Sequence, residues 1–369
     1  MIKVLEPGTY TTVQDVGRMG YQNIGVPESG AVDKFSLRVA NLLIGNDENY
    51  PALEVTIFGP KLKFEEDTII AITGGNLKPL VDGVDIDNWT AIKISKGSEL
   101  SFSGPESGLR SYIAFSGGIS AESIDCVMGS YSTYVPGEFG GLSGKPLKSG
   151  DVLNINYQDA VDYDNVKSKK INNPPIFNAE STIRILLGPN NEEFSDESID
   201  VLTQNTYSIA MDSDSVGIRL EGEPLLHKSN SNNVISEGTT FGSIQIPSNG
   251  LPIILMSNRG TSGGYLKIAT VISADHSKLA QLMPGNKVKF SLITYQNAVQ
   301  EYRIQENILD SLRDEKSDTI PSKIMVSDSL VSIADESGNI LSDKLDSQTV
   351  VARVTSGDDV EEIKIDISN

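Results

Sequence analysis

The chain of 369 residues carries 50 acidic against 30 basic side chains, a formal charge of −20 at pH 7, which repels phosphate backbones and anionic lipid and so excludes nucleic acid and membrane surfaces as partners. At roughly 100–200 residues per domain the length allows two or three domains with a sizeable core. Hydrophobic residues at 38%, with 33 Gly and 16 Pro, suit a loop-rich, mainly β protein better than a helical bundle.

One cysteine, Cys126, and two distant histidines, His227 and His276, allow neither an internal disulfide nor a zinc-ligand spacing. A reduced, cytoplasmic setting and the absence of a metal site are therefore expected. The opening MIKVLEPGTYTTVQD has no apolar centre of the export-signal kind, and no apolar run reaches the roughly 20 residues of a membrane helix. His276 stands between Asp275 and Ser277, but sequence neighbours point apart and a triad is a matter of spatial geometry. It reads as a structural or surface histidine.

In chain order, the first 30 residues are punctuated by Pro7-Gly8, Gly17, Gly20, Gly25, Pro27 and Gly30, which reads as turn chemistry rather than strand. A helix is predicted over 31–44, from Val32, Phe35, Val39, Leu42 and Leu43 near the 3.6 period, with Ser29 as its N-cap and Gly45-Asn46 as its stop. Strands are predicted at 52–57, 61–64, 68–72, 91–94, 111–115 and 152–155. The polar stretch from about Asp159 to Pro175 is a linker candidate, and a second β-rich region runs from Ile176 to about Ile293. FGPKLKF (58–64) is echoed by LGPNNEEF (187–194), and KSGDVLNI (148–155) by PGNKVKF (284–290), which suggests either two related lobes or the chance recurrence of turn-plus-strand patterns. A helix is expected near 297–313 and a hinge at DEKSDTIPSK (314–323). From Asp310 to Asn369, fourteen acids and six bases are interleaved with β-type runs at 324–326 and 350–354. The expected organisation is a first lobe over 1–160, a second over 176–296, helix and linker over 297–323, and an acidic β-rich appendage over 324–369.

TTVQDVGRMGYQNIGVPESGAVD (11–33), ANLLIGN (40–46) and ALEVTIFGPKLKF (52–64), then MGSYST (128–133), FGGLSGKPLKSGD (139–151), GSIQIPSNGLPIILM (242–256), TSGGYLKIATVISAD (261–275) and LAQLMPGNKVKF (279–290), follow one another collinearly. Together they resemble the carboxyltransferase C/D-type family, which takes in the C-type component of bacterial 5-oxoprolinase, the Kip-inhibitor antagonists and the matching part of urea carboxylase. The resemblance covers about 1–293. It implies two cyclophilin-like β-barrel lobes with a few short helices and work in a complex with sister subunits. It further implies ATP-dependent opening of the lactam of 5-oxo-L-proline to L-glutamate with A-type and B-type partners, the latter Kip-inhibitor-like. Other roles within the resemblance are sequestration of a Kip-inhibitor-like partner, and carboxyl transfer with a biotin-carrying partner. No biotinyl-lysine sequence of the AMKM kind is present, so covalent biotin is not expected.

Several residues suit this chemistry. Arg18 can fork onto a carboxylate, with Thr12, Gln14 and Asp15 beside it, or Asp15 and Arg18 can pair to brace the loop. Ser29 is a pocket-rim candidate as well as the expected cap. Glu54 and Thr56 share one strand face while Leu53, Val55 and Ile57 share the other, so Glu54 is either a lactam-directed acid/base or part of a solvated face. Thr261, Gly263, Gly264, Tyr265 and Lys267 bring hydroxyls, backbone donors, a phenol and an ammonium into seven residues, suited to polarising a carbonyl. The alternative there is a tight glycine turn with Tyr265 packed on the core. Gln245 and Gln281 add amides. Asp15, Glu54 and Tyr265 are the catalytic candidates and the others substrate-binding ones.

GGLSGKPL (140–147) is the nearest string to a phosphate-binding P-loop, but its spacing is wrong and Pro146 follows Lys145. Any ATP is therefore expected on a partner protein or in an atypical pocket. The chain departs from the family pattern where SDRMGYRL becomes SDSVGIRL (213–220), placing Ser215 for an arginine. Asn258 stands for an aspartate, Leu266 for a proline, and Tyr131 and Tyr134 for the arginine and aspartate of GSRSTD. Losing an arginine removes a fork of donors, and losing an aspartate removes a base.

Overall fold

The computed structural model describes residues 1–157, 160–171, 173–228 and 233–313, together with the backbone of five strands between Ile324 and Asp366. The chain divides into two compact units, Met1–Arg313 and Asp314–Asn369.

The first lobe opens with β1 (Ile2–Glu6) and β2 (Tyr10–Gln14), followed by helix α1 (Lys34–Leu43). After it come β3 (Ala52–Thr56), β4 (Lys61–Phe64), β5 (Thr68–Asn76), β6 (Pro79–Val81), β7 (Val84–Asp85), β8 (Ala91–Ile94), β9 (Glu99–Phe102), β10 (Ser107–Phe115) and β11 (Val152–Leu153). These strands form a six-stranded sheet in the order β11-β1-β4-β9-β6-β7 and a five-stranded sheet in the order β2-β3-β10-β5-β8. The opening residues are thus strands where the sequence reads as turns. Ile2 and Val4 point into the core and Lys3 outward, an alternation too short to outweigh the surrounding Pro and Gly when read alone.

Period-two patterning explains the layering. On β10, Ile113 and Phe115 join Val4, Leu53, Val55, Leu62 and Phe64 in the core between the two sheets. Tyr112 and Ala114 face the other way and pack with Phe35, Val39 and Leu43 of α1. The five-stranded sheet is therefore buried on both faces.

The second lobe contains α3 (Asp196–Gln204), reached through the short α2 (Tyr163–Val166), and α4 (His276–Ala280). Its strands are β12 (Glu180–Leu187), β13 (Thr206–Ile209), β14 (Gly217–Glu221), β15 (Asn233–Gly238), β16 (Ser243–Ile246), β17 (Ile253–Leu255), β18 (Ser262–Val271) and β19 (Lys287–Leu292). Pairing runs β12-β19-β13-β14-β17-β16-β18, and β12 pairs again with β18, closing a seven-strand barrel with β15 added on β18. Ile185, Tyr207, Ile244, Ile254, Ile268 and Phe290 fill it. The mainly β fold expected from sequence is present; the second lobe is the closed barrel, whereas the first consists of two facing sheets. Helix α5 (Tyr295–Asp310) follows, close to its expected span.

In the second unit, β20 (Ile324–Ser327), β21 (Leu330–Ala334) and β22 (Ile340–Ser342) form an antiparallel sheet, and β23 (Thr349–Ser356) pairs with β24 (Asp359–Asp366). The expected hinge at 314–323 lies outside the described residues. Among the described residues, no helix is long and apolar enough to cross a membrane.

Candidate functional site

The segment leading into α1 joins the two lobes. Ser29 N–H donates to the carbonyl of Ser257 in the second lobe at 3.1 Å, and Ala31 N–H donates to that of Asp15 at 2.8 Å. Gly30 has φ +81°, and a Cβ there would come within 2.7 Å of the Gly17 backbone, so both conformation and space require glycine. Val32 N–H then donates to Glu54 Oε2 at 2.9 Å while its side chain sits in the barrel core. The helix begins at Lys34 rather than 31, and its N-cap is Asp33, which accepts from Ser36 N–H at 3.0 Å. Ser29 therefore does not cap it. With φ +54° and a main chain tied to Ser257, Ser29 lies outside the helix turn, and its buried hydroxyl has no hydrogen-bond partner among the described residues.

A polar network runs beneath this segment. Tyr112 OH donates to Glu54 Oε2 at 2.7 Å and accepts from Asp33 N–H at 2.8 Å. Asp33 Oδ2 accepts from Ser277 Oγ and Gln281 Nε2 of the second lobe, both at 2.9 Å. Gln281 Oε1 in turn accepts from the backbone N–H groups of Leu109 and Arg110 at 3.0 and 2.8 Å. Burial raises the Glu54 pKa against the opposing pull of Arg110, and it pushes the Tyr112 phenol well above its usual value.

Above the network lies a cleft of about 620 Å³ between the lobes. The first lobe contributes Glu28, Lys34 and Arg38, the barrel contributes Phe241, Arg259 and His276, and α5 lends Tyr302. Arg38 donates to both carboxylate oxygens of Glu306 at 2.6 and 2.9 Å and to Glu48 at 3.0 Å, which ties α1 to α5. Arg259, 4% exposed, pairs with Glu28 at 2.8 Å, and its Nε has no partner among the described residues. Lys34 has no carboxylate within ion-pair distance among the described residues, although it lies in the fields of Glu28 and Arg259. Among the described residues there is no group of three His, Cys, Asp or Glu side chains placed to hold a metal.

None of the catalytic or binding candidates taken from the sequence lines this cleft. Asp15 and Arg18 grip the segment 127–133 instead of each other. The Asp15 carboxylate accepts from Gly17 N–H at 2.8 Å, Tyr131 N–H at 2.6 Å and Ser130 Oγ at 2.7 Å, and also from Ser132 Oγ. Arg18, 1% exposed, donates to Ser132 O at 2.6 Å and stacks over Phe139 at 4.8 Å. Gln14 Nε2 donates to Thr12 Oγ1 and Thr133 O. Thr261 through Lys267 belong to no tight turn: all but Thr261 lie in the long strand β18, because pairing with β15 and β16 straightens a glycine pair that in isolation reads as a bend. Tyr265 is 42% exposed rather than core-packed. Lys267 is buried and paired with Glu237 at 2.8 Å. Gln245 on β16 lies against Gly263, where a Cβ would come within 2.5 Å of its Nε2, and Gly264 is next in the same strand.

Lys34 and Arg259 are residues that sequence reading passed over, and His276 is one that it takes for a structural or surface histidine. Lys34 carried a signal, as a lone cation at the start of a predicted amphipathic helix. Arg259 carried none, and the Asp275-His276-Ser277 string did not place His276, because only the closing of the barrel against α1 brings these residues to it. Two of the positions at which the sequence departs from the family pattern meet in the fold: Asn258 Nδ2 donates to Ser215 Oγ at 2.9 Å, a neutral bond. Tyr134 packs on Phe139 at 5.3 Å, beside the Arg18 stack.

The model of the carboxyltransferase domain, subdomains A and B, matches residues 24–292. The chain is 36% identical to the C subunit of Escherichia coli 5-oxoprolinase over 85% of this chain and 97% of that protein. It is 33% identical to the C subunit of Haemophilus influenzae 5-oxoprolinase over 86% of this chain and 100% of that one. Among solved structures, the urea amidolyase of K. lactis superposes with a TM-score of 0.76 at 28% identity, covering 97% of this chain and 22% of that chain.

Proposed function

The chain belongs to the carboxyltransferase domain family, subdomains A and B, and from that premise we propose that it is the C-type component of a multi-protein, ATP-dependent 5-oxoprolinase. In this reading it helps open the lactam of 5-oxo-L-proline to L-glutamate together with A-type and B-type partners, the latter Kip-inhibitor-like. The observation that carries it is the near end-to-end match to two proteins that bear the name of the 5-oxoprolinase C subunit. The likeness to urea amidolyase, by contrast, engages a fifth of a much longer chain.

The cleft supports the same reading. It holds the Lys34 ammonium, beside the paired Arg38 and Arg259, in one recess of a strongly acidic molecule, which suits a small anion. Its walls come from both lobes and from α5, so a ring compound held there is positioned by the whole first unit. ATP belongs with a partner protein. The glycines of 140–144 do not fit a phosphate cradle, since Cβ atoms at Gly140 and Gly144 would lie 2.1 Å from the backbone of Ser132 and Glu138. They serve close packing of that loop.

A second reading, carboxyl transfer with a biotin-carrying partner, is favoured by the description of the matching family as a carboxyltransferase domain and by the likeness to urea amidolyase. Mixing the purified chain with candidate A-type and B-type partners separates the two. Glutamate release requiring ATP and all three proteins supports the first, whereas carboxylation of a substrate that depends on a biotinylated partner supports the second.

A further inference from the structure

Two groups in the cleft stand apart from the ion pairs around them. The Lys34 ammonium is the first; its cationic neighbours are engaged, Arg38 by Glu48 and Glu306 and Arg259 by Glu28, whereas Lys34 has no such partner among the described residues. Burial lowers its pKa and the attraction of Glu28 opposes this. An unpaired ammonium in a recess is a counter-ion site for whatever anion enters.

The second group is His276. Its Nε2 lies 3.3 Å from the carbonyl of Val271. A carbonyl only accepts, so Nε2 carries the hydrogen and Nδ1 is left with a bare lone pair. The ring is fixed by Phe241, with centroids 4.4 Å apart, and by Gly242, where a Cβ would lie 3.0 Å from Nε2. Burial holds the imidazole pKa down to about 4, with Lys34 and Arg259 adding to the depression and Asp275 opposing it. The ring is therefore neutral at pH 7 and Nδ1 remains an acceptor.

A cation and a fixed acceptor in one recess complement a molecule with an anionic group and an N–H donor. Building on the function proposed above, we propose that the cleft binds a small carboxylate bearing an amide N–H, with Lys34 pairing with the carboxylate and His276 Nδ1 accepting from the amide. The two residues thus read the carboxylate and the neighbouring ring N–H of a cyclic amino-acid amide, and His276 is the one that distinguishes it from a plain ring acid.

The test is calorimetric titration of the full chain with three probes: 5-oxo-L-proline, cyclopentanecarboxylate, which lacks the amide, and 2-pyrrolidinone, which lacks the carboxylate. Charge-assisted hydrogen bonds of this kind correspond to roughly tenfold or more in affinity. Lys34→Met is expected to weaken both carboxylates by about that factor and leave 2-pyrrolidinone unchanged, while Lys34→Arg restores carboxylate binding. His276→Phe is expected to weaken 5-oxo-L-proline and 2-pyrrolidinone but not cyclopentanecarboxylate. Carboxylate binding indifferent to Lys34→Met in a chain with an unchanged melting profile overturns the assignment, as does a wild-type chain that binds none of the probes. Glutamate release by the assembled three-protein mixture is read separately. An inactive wild-type assembly overturns the functional reading, while the probe titrations still decide the roles of Lys34 and His276.

Discussion

Val32 is held from both lobes at once: its N–H donates to Glu54 Oε2 of the first lobe at 2.9 Å, and its side chain is part of the apolar core of the barrel. The carboxylate that looked from sequence like an acid/base group therefore fixes the joint that forms the cleft. Glu54→Ala leaves Val32 N–H and Tyr112 OH buried without an acceptor and is expected to cost about 2–4 kcal/mol. Glu54→Gln keeps an acceptor and is expected to lose less than half of that. Denaturant melts of both variants, with turnover of the assembled complex alongside, separate a bracing role from a catalytic one. Bracing predicts that Glu54→Gln retains turnover.

Asp33 carries the same joint from the helix side. It caps α1 and accepts from Ser277 and Gln281. Asp33→Ala combines the loss of an N-cap with two buried donors left unpaired, an expected cost of about 2–4 kcal/mol. A double-mutant cycle with Ser277→Ala is expected to be clearly non-additive, because the two side chains share one bond.

The pH dependence of stability follows from His276. Its folded pKa of about 4 lies below the ordinary value near 6.5, so between these values the unfolded chain takes up the proton that the folded chain refuses. The stability associated with the neutral ring is fully present above pH 6.5 and is lost as the pH falls toward 4. Urea melts across this window should show wild type losing stability relative to His276→Phe, with the two curves running parallel above pH 7.

Gly242 is expected to tolerate no side chain. Its φ of +83° is costly for any other residue, and an added methyl group would press on the His276 ring at 3.0 Å. Gly242→Ala should destabilise the chain by about 1–3 kcal/mol and weaken binding of 5-oxo-L-proline more than that of cyclopentanecarboxylate. Thermal melts and the probe titrations read the two effects.

Much of the scaffold was legible because short-range chemistry sets it. Lys61–Phe64 and Ala91–Ile94 are strands with the expected bounds, and the split of Leu53 and Val55 from Glu54 onto opposite faces follows from period two. The start of α1 was misplaced because Ser29 and Asp33 are both good caps in isolation, and only the tie of Ser29 to Ser257 decides between them. The echo of FGPKLKF in LGPNNEEF has no structural counterpart: the first ends in β4, whereas the second leaves β12 for a short 3₁₀ turn at Asn191–Glu193. The candidate site was the least legible part. Asp15 and Arg18 have the residue types of an anion site, but Ser130 and Ser132, more than a hundred residues away, consume the carboxylate, and Ser132 takes the guanidinium. Lys34 and His276 meet only because the barrel closes against α1, and no local pattern encodes that approach.

The most direct measurement of the central claim is ATP-dependent release of glutamate from 5-oxo-L-proline by this chain mixed with its A-type and B-type partners, with each protein omitted in turn. The account predicts release from the complete mixture only, and its loss when Lys34→Met replaces the wild-type chain. Undiminished release without this chain, or turnover by this chain alone, would contradict it.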